Sequence, residues 1–387
     1  MALPHHKVRI FFAYAHFFRE FLSTDNAINL PHESKKGIDI QPQNTLSYTS
    51  KEWPAFSLTN KTHPVRTLQM TENAPKFQQI PISTLIPERK VGVKLYLRTG
   101  PDRHVLFINE NSVLTNAKID QLHQNNVGQL YLDASDRQGY LTYIKENLSA
   151  ILNNSDLTAN DKAAIIYDTA SDITETLFSQ PSTEGIDQTR NLVNCMIDSI
   201  SQSPETSNLL MMITNQDYYT YTHSINVGIY AVSMTRKILP SISETELKTL
   251  GLGFFLHDLG KSKISNSIIN KKGPLSQEEW QIMQEHPAIG AELTCKLGTS
   301  TPEIVEIIST HHERYDGSGY PNKLSQEKVS LPGRICAFCD VFDALTTKRS
   351  YKKSLSTFAA LKIIKDETPS HFDPELLNPF IMLFGSS

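Results

Sequence analysis

The rhythm of apolar and polar positions changes several times along the chain. Over residues 1 to about 75 no period is sustained, and Asn, Thr, Ser, Pro and Lys are frequent, which predicts a disordered or spurious extension over 1–75. Met70 stands just before the first orderly segment, which leaves Met1 and Met70 both open as the start of the functional chain. Between 78 and 135 short β-rich runs take over: VKLYLR (93–98), HVLFI (104–108) and QLYLD (129–133). TNAKIDQLHQNN (115–126) reads as a helix between the last two. Residues 78–135 are therefore expected to form a small α+β regulatory or docking module, since His104 and His123 stand isolated and no catalytic constellation falls there.

Residues 136–207 read as a helical linker. Ile165, Ile166, Ile173 and Leu177 recur at three- and four-residue steps, as do Val193, Met196, Ile197 and Ile200, with Pro181 and Gly185 breaking the segment. Such helices pair between subunits, giving a homodimer, or pack within one chain; the pattern leaves both open. From 208 to 387 a series of amphipathic helices with short loops follows. Within it KKGPLSQEEW (271–280) is a turn and then a helix start, with Ser276 as N-cap and Glu279 three residues on. The expected fold class is multidomain: an all-α unit at the C-terminus, preceded by a small α+β module, a helical linker and a disordered N-terminus.

Composition narrows the class. The 387 residues suit about two domains. A net charge of −4 gives no basic surplus for a polymeric nucleic acid, while a small anion held at a metal site stays allowed. No apolar run approaches the roughly 20 residues that span a bilayer. The aromatic segment Val8–Phe18 is interrupted by Arg9 and His16 and followed by Arg19 and Glu20, which does not suit a cleaved export signal. Four cysteines are too few for a disulfide framework. Cys336 and Cys339 form a C-x-x-C, but in the helical run RICAFCDVFDALT they share a face and are expected simply to pack. A reduced, cytoplasmic setting fits.

Candidate chemistry gathers in the C-terminal half. Five of the 13 histidines lie between 223 and 312, each beside a polar neighbour. They are His223 in YTYTHSINVG, His257 (with Asp258) in FFLHDLGK, His286 in QEHPAIG, and His311 and His312 in STHHERYDGSGYP; Asp340 follows in CAFCDVFDALT. Burying such groups at the ends of apolar helices is costly unless they are paired, and a metal is a common partner. Imidazole suits iron, manganese and zinc, and a carboxylate can bridge two ions. Seven potential ligands without a cysteine point to a dinuclear His/Asp centre rather than a structural zinc site. An isolated HD or HH dipeptide is ordinary; the joint order H…HD…H…HH…D, with Lys261 three residues after Asp258, carries the reading.

At these residues the chain closely resembles the HD-GYP family, a branch of the HD phosphohydrolases. Its HHE-x-x-DG-x-GYP pattern stands intact in HHERYDGSGYP (311–321). HDLGK (257–261), NKKGPLSQEEW (270–280), EHPAIG (285–290), DVFDALTTKRSY (340–351) and FDPEL (372–376) also match, so the likeness covers about 215–380. The resemblance implies an all-α HD-type catalytic unit that hydrolyses cyclic di-GMP to pGpG, GMP or both, with two divalent ions, iron or manganese by family habit and zinc also admissible. It implies that His223, His257, Asp258 and Asp340 hold one ion and Asp258, His286, His311 and His312 the other, with Asp258 bridging. Lys261 would contact the scissile phosphate, and Asp343, Arg349 and Lys352 match positions near the substrate. Gly319, Tyr320 and Pro321 would form a loop that shapes the site and offers a surface to diguanylate cyclases (GGDEF proteins), braced by Glu313, Arg314 and Asp316. The 78–135 module resembles, more weakly, a domain found ahead of some HD-GYP domains.

Three positions depart from the family pattern. Tyr219 stands where some relatives place a glutamate that supports a third metal, so two ions are expected. Lys323 stands where glycine is usual after GYP, and Ser350 replaces a proline. The remaining alternatives are a cyclic dinucleotide receptor or docking module without turnover, and a phosphohydrolase of another nucleotide, such as a cyclic GMP-AMP dinucleotide.

Overall fold

Alternation shapes the first unit. In β6 (Gln129–Asp133) Leu130 and Leu132 are buried while Gln129 is exposed, the period-two signature of a strand with one face on a core. The computed structural model describes residues 76–101, 103–214, 220–271, 273–299, 301–347 and 354–384. Expectations for 1–75, Met70, Tyr219, Arg349, Ser350 and Lys352 lie outside the described residues. β1 (Phe77–Pro81), β6, β3 (Leu95–Arg98) and β4 (His104–Ile108) form an antiparallel sheet in the order β1-β6-β3-β4. A second ladder pairs β2 (Arg89–Lys90) with β5 (Val113–Leu114), and α1 (Asn116–Gln124) leads from β5 to β6. β1 was not expected from FQQIP, whose two adjacent glutamines break the alternation. It is an edge strand in register with β6 from Phe77↔Asp133 to Pro81↔Gln129, and an edge tolerates its proline.

Four helices follow: α2 (Arg137–Leu152), α3 (Ala159–Ser179), α4 (Thr183–Gln202) and α5 (Pro204–Ile213). A capping box of Thr158 and Asp161 starts α3. The chain breaks around Pro181, and the Ser182 hydroxyl accepts from Gly185 N to start α4. Gly185, expected as a breaker, instead sits in the first turn of α4. A Cβ there would lie 2.9 Å from Leu177 Cδ1, so the glycine lets α3 and α4 approach. The apolar faces of both helices are covered from within the chain: Leu177 and Ile186 join Leu252, Leu256, Ile304 and Ile308 in one cluster.

The C-terminal half contains α6 (Thr220–Ile238), α7 (Glu244–Leu256), α8 (Asn266–Ile269), α9 (Gln277–Met283), α10 (His286–Lys296), α11 (Pro302–Thr310), α12 (Leu331–Thr346), α13 (Thr357–Asp366) and α14 (Leu377–Phe384). α6 packs on α7 and α12, and α11 on α7, α10 and α12. α12 is buried on every side from Ile335 to Thr346, as a central helix must be. Cys336 and Cys339 are buried free thiols, and Cys339 Sγ lies 3.9 Å from Met234 Sδ, so both serve packing. Ser276 and Glu279 form a capping box at the start of α9, and Lys271 pairs with Glu279. Among the described residues no helix is long and apolar enough to cross a membrane.

Candidate metal centre

The site is built from helix ends. His257 and Asp258 follow directly on α7, His286 opens α10, and His311 and His312 follow α11. His223 lies in the first turn of α6, and Asp340 and Asp343 lie in α12. A 3-10 turn, Leu259–Lys263, carries Lys261. Gly260 is needed for this assembly: a Cβ there would lie 1.9 Å from His286 O and 2.6 Å from Gly290 N. Its absence lets the turn after the His-Asp pair lie directly on the start of α10.

Three imidazoles are held in one way. Their Nδ1–H groups donate to the carbonyl three residues back: His257 to Phe254 O at 2.8 Å, His286 to Met283 O at 2.7 Å and His311 to Ile308 O at 2.7 Å. A carbonyl only accepts, so Nδ1 carries the proton and Nε2 turns its lone pair inward. His223 is held instead by a carboxylate, Nδ1 to Asp343 Oδ2 at 2.7 Å, and its Nε2 lies 2.9 Å from Asp340 Oδ1. His312 presents Nδ1, 3.5 Å from Asp340 Oδ2.

Asp258 lies between two groups of donors. Its Oδ1 is 3.3 Å from His286 Nε2 and 3.6 Å from His311 Nε2. Its Oδ2 is 3.6 Å from His257 Nε2, 3.8 Å from His223 Nε2 and 2.6 Å from Lys261 Nζ. Ligand atoms of Asp258, His286, His311 and His312 lie within 4.8 Å of one another, and so do those of His223, His257 and Asp258. The two sets share Asp258, and Asp340 sits against His223 and His312.

Whether these residues suit cations can be tested on the geometry. His286 Nε2 and His311 Nε2 face each other across 3.2 Å, and both carry lone pairs because both Nδ1 atoms are protonated. Two facing lone pairs repel unless a cation takes both. Buried His257 Nε2 and Asp258 Oδ1 also make no hydrogen bond, an expensive state for polar atoms. The donor set fits divalent ions that prefer nitrogen and oxygen.

The electrostatics agree. Burial pushes the His257 imidazole down to about 3 and His286 down to about 4, and holds His312 well below its usual value. Burial works against ionised Asp258, but Lys261 and His257 outweigh it and keep the carboxyl well below the usual range. Burial alone would lower His223, yet its bonds to Asp340 and Asp343 lift it to about 9. The pocket thus holds ionised carboxylates and neutral imidazoles at His257, His286 and His312, the protonation states that bind metal, while His223 keeps its proton until a cation displaces it.

Asp343 departs from its expected place near substrate. It is buried behind His223, and its Oδ1 accepts from Asn226 Nδ2 and Thr347 Oγ1, both at 2.9 Å, so both carboxylate oxygens are engaged inside the protein. Arg349 and Lys352 are not among the described residues. In the 319–321 loop the Tyr320 ring lies 4.8 Å from the His312 ring and 5.8 Å from Trp280. Glu313 accepts from Asn322 N at 2.6 Å and Leu324 N at 3.1 Å, Arg314 donates to Ser318, and Asp316 accepts from Ser318 and Ser370. Lys323 has φ 53°, a left-handed conformation costing a non-glycine residue about 1–2 kcal/mol, which explains the family's glycine there.

Two residues behind His223 were missed by sequence reasoning, Asn226 and Tyr167. Asn226 is three residues after His223 on one helix face, a spacing that could have revealed it; nothing local to Tyr167 points to the site.

Residues 210–376 match the HD domain family. A cyclic di-GMP phosphodiesterase of Pseudomonas aeruginosa is 33% identical over 195 residues, 50% of this chain and 46% of that protein. A 3′3′-cGAMP-specific phosphodiesterase of Vibrio cholerae is 35% identical over 187 residues, 48% of this chain and 35% of that protein. This chain thus spans less than half the length of each. Among solved structures, an HDG"Y"P protein from Bdellovibrio bacteriovorus shares the fold with a TM-score of 0.55 at 18% identity, covering 80% of this chain and all of that one. The match to the HD domain family covers the segment that carries the ligand order and the intact HHERYDGSGYP loop, so residues 210–376 are similar to an HD domain.

Proposed function

We propose that the chain is a metal-dependent phosphodiesterase that hydrolyses cyclic di-GMP. The observation that carries this reading is the pair of donor sets sharing Asp258, with the His286 and His311 lone pairs facing across 3.2 Å. The names of relatives support the substrate: several are cyclic di-GMP phosphodiesterases, including one from Thermotoga maritima at 32% identity.

The residues would divide the work as follows. His223, His257, Asp258 and Asp340 would hold one divalent ion and Asp258, His286, His311 and His312 the second, with iron or manganese the preferred metal and zinc tolerated. Bound there, two such ions would supply Lewis acidity for activating water and for countering phosphate charge. The Nδ1 anchors fix each ring so that no reorientation is needed when charge develops. Lys261, whose ammonium lies beside Asp258, offers donors to a phosphate oxygen arriving at that edge and offsets its charge. Arg349 and Lys352 supply further cationic contacts to the dinucleotide. The 319–321 loop, its Tyr320 packed on His312, borders the site and offers a surface to diguanylate cyclases. The setting is the cytoplasm.

A second substrate has a specific observation behind it: three relatives, at 30–35% identity, are 3′3′-cGAMP-specific phosphodiesterases. One experiment tests both. The protein is purified without oxygen, its metal is counted, and cyclic di-GMP and 3′3′-cGAMP are offered in parallel with product analysis. Linear pGpG or GMP from the first supports the proposal, and turnover of 3′3′-cGAMP alone moves the substrate. Tight binding of cyclic di-GMP with no product at two ions per chain would show a receptor instead.

A further inference from the structure

Behind His223 runs a chain of hydrogen bonds that leaves the HD-matched segment. Asp343 Oδ2 takes His223 Nδ1 at 2.7 Å, Asn226 Nδ2 donates to Asp343 Oδ1 at 2.9 Å, and Tyr167 OH donates to Asn226 Oδ1 at 3.0 Å. Asn226 Nδ2 also reaches Thr214 O at 3.3 Å, at the end of α5. Asn226 is fully buried, so its amide is the junction where α3, α5, α6 and α12 meet. Tyr167 lies on α3, well before residue 210, where the HD match begins.

We propose that Asn226 and Tyr167 are positioning residues for the His223 half of the metal centre, and that α3 thereby sets how firmly that half holds its ion. The inference rests on the metal-centre reading above. Asp343 can turn one oxygen to His223 only while its other oxygen is held. Thr347 alone leaves the carboxylate free to swing, whereas the Asn226 amide, itself pinned through Oδ1 by the Tyr167 hydroxyl, fixes its plane. The other three carbonyl-anchored histidines need no such support, because each bonds the backbone of its own segment. His223 therefore differs from His257, His286 and His311 in what holds it: a side-chain chain of three links in place of the main chain. α3 is in turn tied to α2 by the Lys145–Asp172 ion pair at 2.8 Å, and α2 meets the sheet module where Tyr143 OH accepts from Ile86 N at 2.7 Å.

The test titrates the metal-free full-length protein with Mn2+ alone, by calorimetry, alongside thermal melts of the metal-free forms. Asn226→Leu removes the junction at similar volume, and Tyr167→Phe removes one hydroxyl. Support outside the ligand shell is commonly worth about 10–100-fold in metal affinity. One of two binding steps should weaken about 10-fold in Asn226→Leu and about 3-fold in Tyr167→Phe. The other step should hold, and the metal-free Tyr167→Phe melt should stay within about 2 °C of the parent. Unchanged titrations, or both steps weakened in parallel with a lowered melting point, overturn the inference. If Asn226→Leu does not fold, Tyr167→Phe decides alone. A parent protein that binds two ions but cleaves no cyclic dinucleotide refutes the proposed function and leaves this inference standing. Turnover with unaltered titrations in the variants does the reverse.

Discussion

Around the four-stranded sheet the core is Ile80, Leu95, Ile108, Leu130 and Leu132, and Thr84 is the one polar side chain buried there among the described residues. The helical half buries His223, Asn226, His257, Asp258, Lys261, His286, His311, His312, Asp340 and Asp343. The first core is stabilised by removing apolar surface from water and is indifferent to ions and pH. The second holds charges and lone pairs that water would otherwise solvate, and their cost is offset only by partners. One chain thus contains a unit whose stability is local and a unit whose stability depends on what it binds.

The contrast can be broken most severely at Asp258. Asp258→Ala should empty both metal positions and lower turnover by about 1,000-fold or more, since it removes the carboxylate common to both donor sets; full metal content in this variant would refute the shared role. Next comes the opposite core. Leu130→Ala should destabilise the sheet module by about 2–5 kcal/mol in denaturant melts while metal content stays unchanged. Metal loss on that substitution would show that the two units are not independent.

Lys261→Ala sharpens the comparison within the site. Metal should remain bound while kcat falls about 100-fold, as for loss of a single charge-stabilising donor; an unchanged kcat would remove Lys261 from the reaction. A further effect is in pH. Because His257 and His286 are held at about 3 and 4, the metal-free unfolded chain takes up their protons below about pH 6.5 while the folded chain does not. Their contribution is present above pH 6.5 and lost as pH falls toward 4, at about 1.4 kcal/mol per pH unit each. His223, raised to about 9, runs the other way: its contribution is full below pH 6.5 and fades as pH rises through 9. Denaturant melts of the metal-free protein from pH 7 to 5 check this, and a flat profile would contradict it.

What the sequence revealed follows from how local each signal is. His257, Asp258, His311 and His312 lie within short segments whose neighbours, the apolar run before and the glycine or loop after, mark them as ends of buried helices. The three β-rich runs at 93–98, 104–108 and 129–133 were legible because hydrophobic alternation is a property of the strand itself. β1 was not, since FQQIP becomes a strand only by pairing with β6. Gly185 looked like a breaker in one dimension and is a contact in three. Asp343 was referred to the substrate by likeness. Its position one helical turn after Asp340 places it instead at the far nitrogen of the same histidine. Tyr167 lies 3.0 Å from Asn226 but far from it in sequence, and no local pattern encodes such a contact.

The carbonyls that receive the Nδ1 protons belong to Phe254, Met283 and Ile308, in the final turns of α7, α9 and α11. Those carbonyls have run out of intrahelical donors, and the ring that follows supplies one. Each of these imidazoles therefore closes a helix as well as presenting a donor to the proposed metal centre. Replacing one with alanine would fray a terminus at the same moment that it vacates a coordination position. A variant meant to be merely metal-blind would then have softened ends, and glutamine or asparagine, which can still donate to that carbonyl, is the better choice for separating coordination from helix termination.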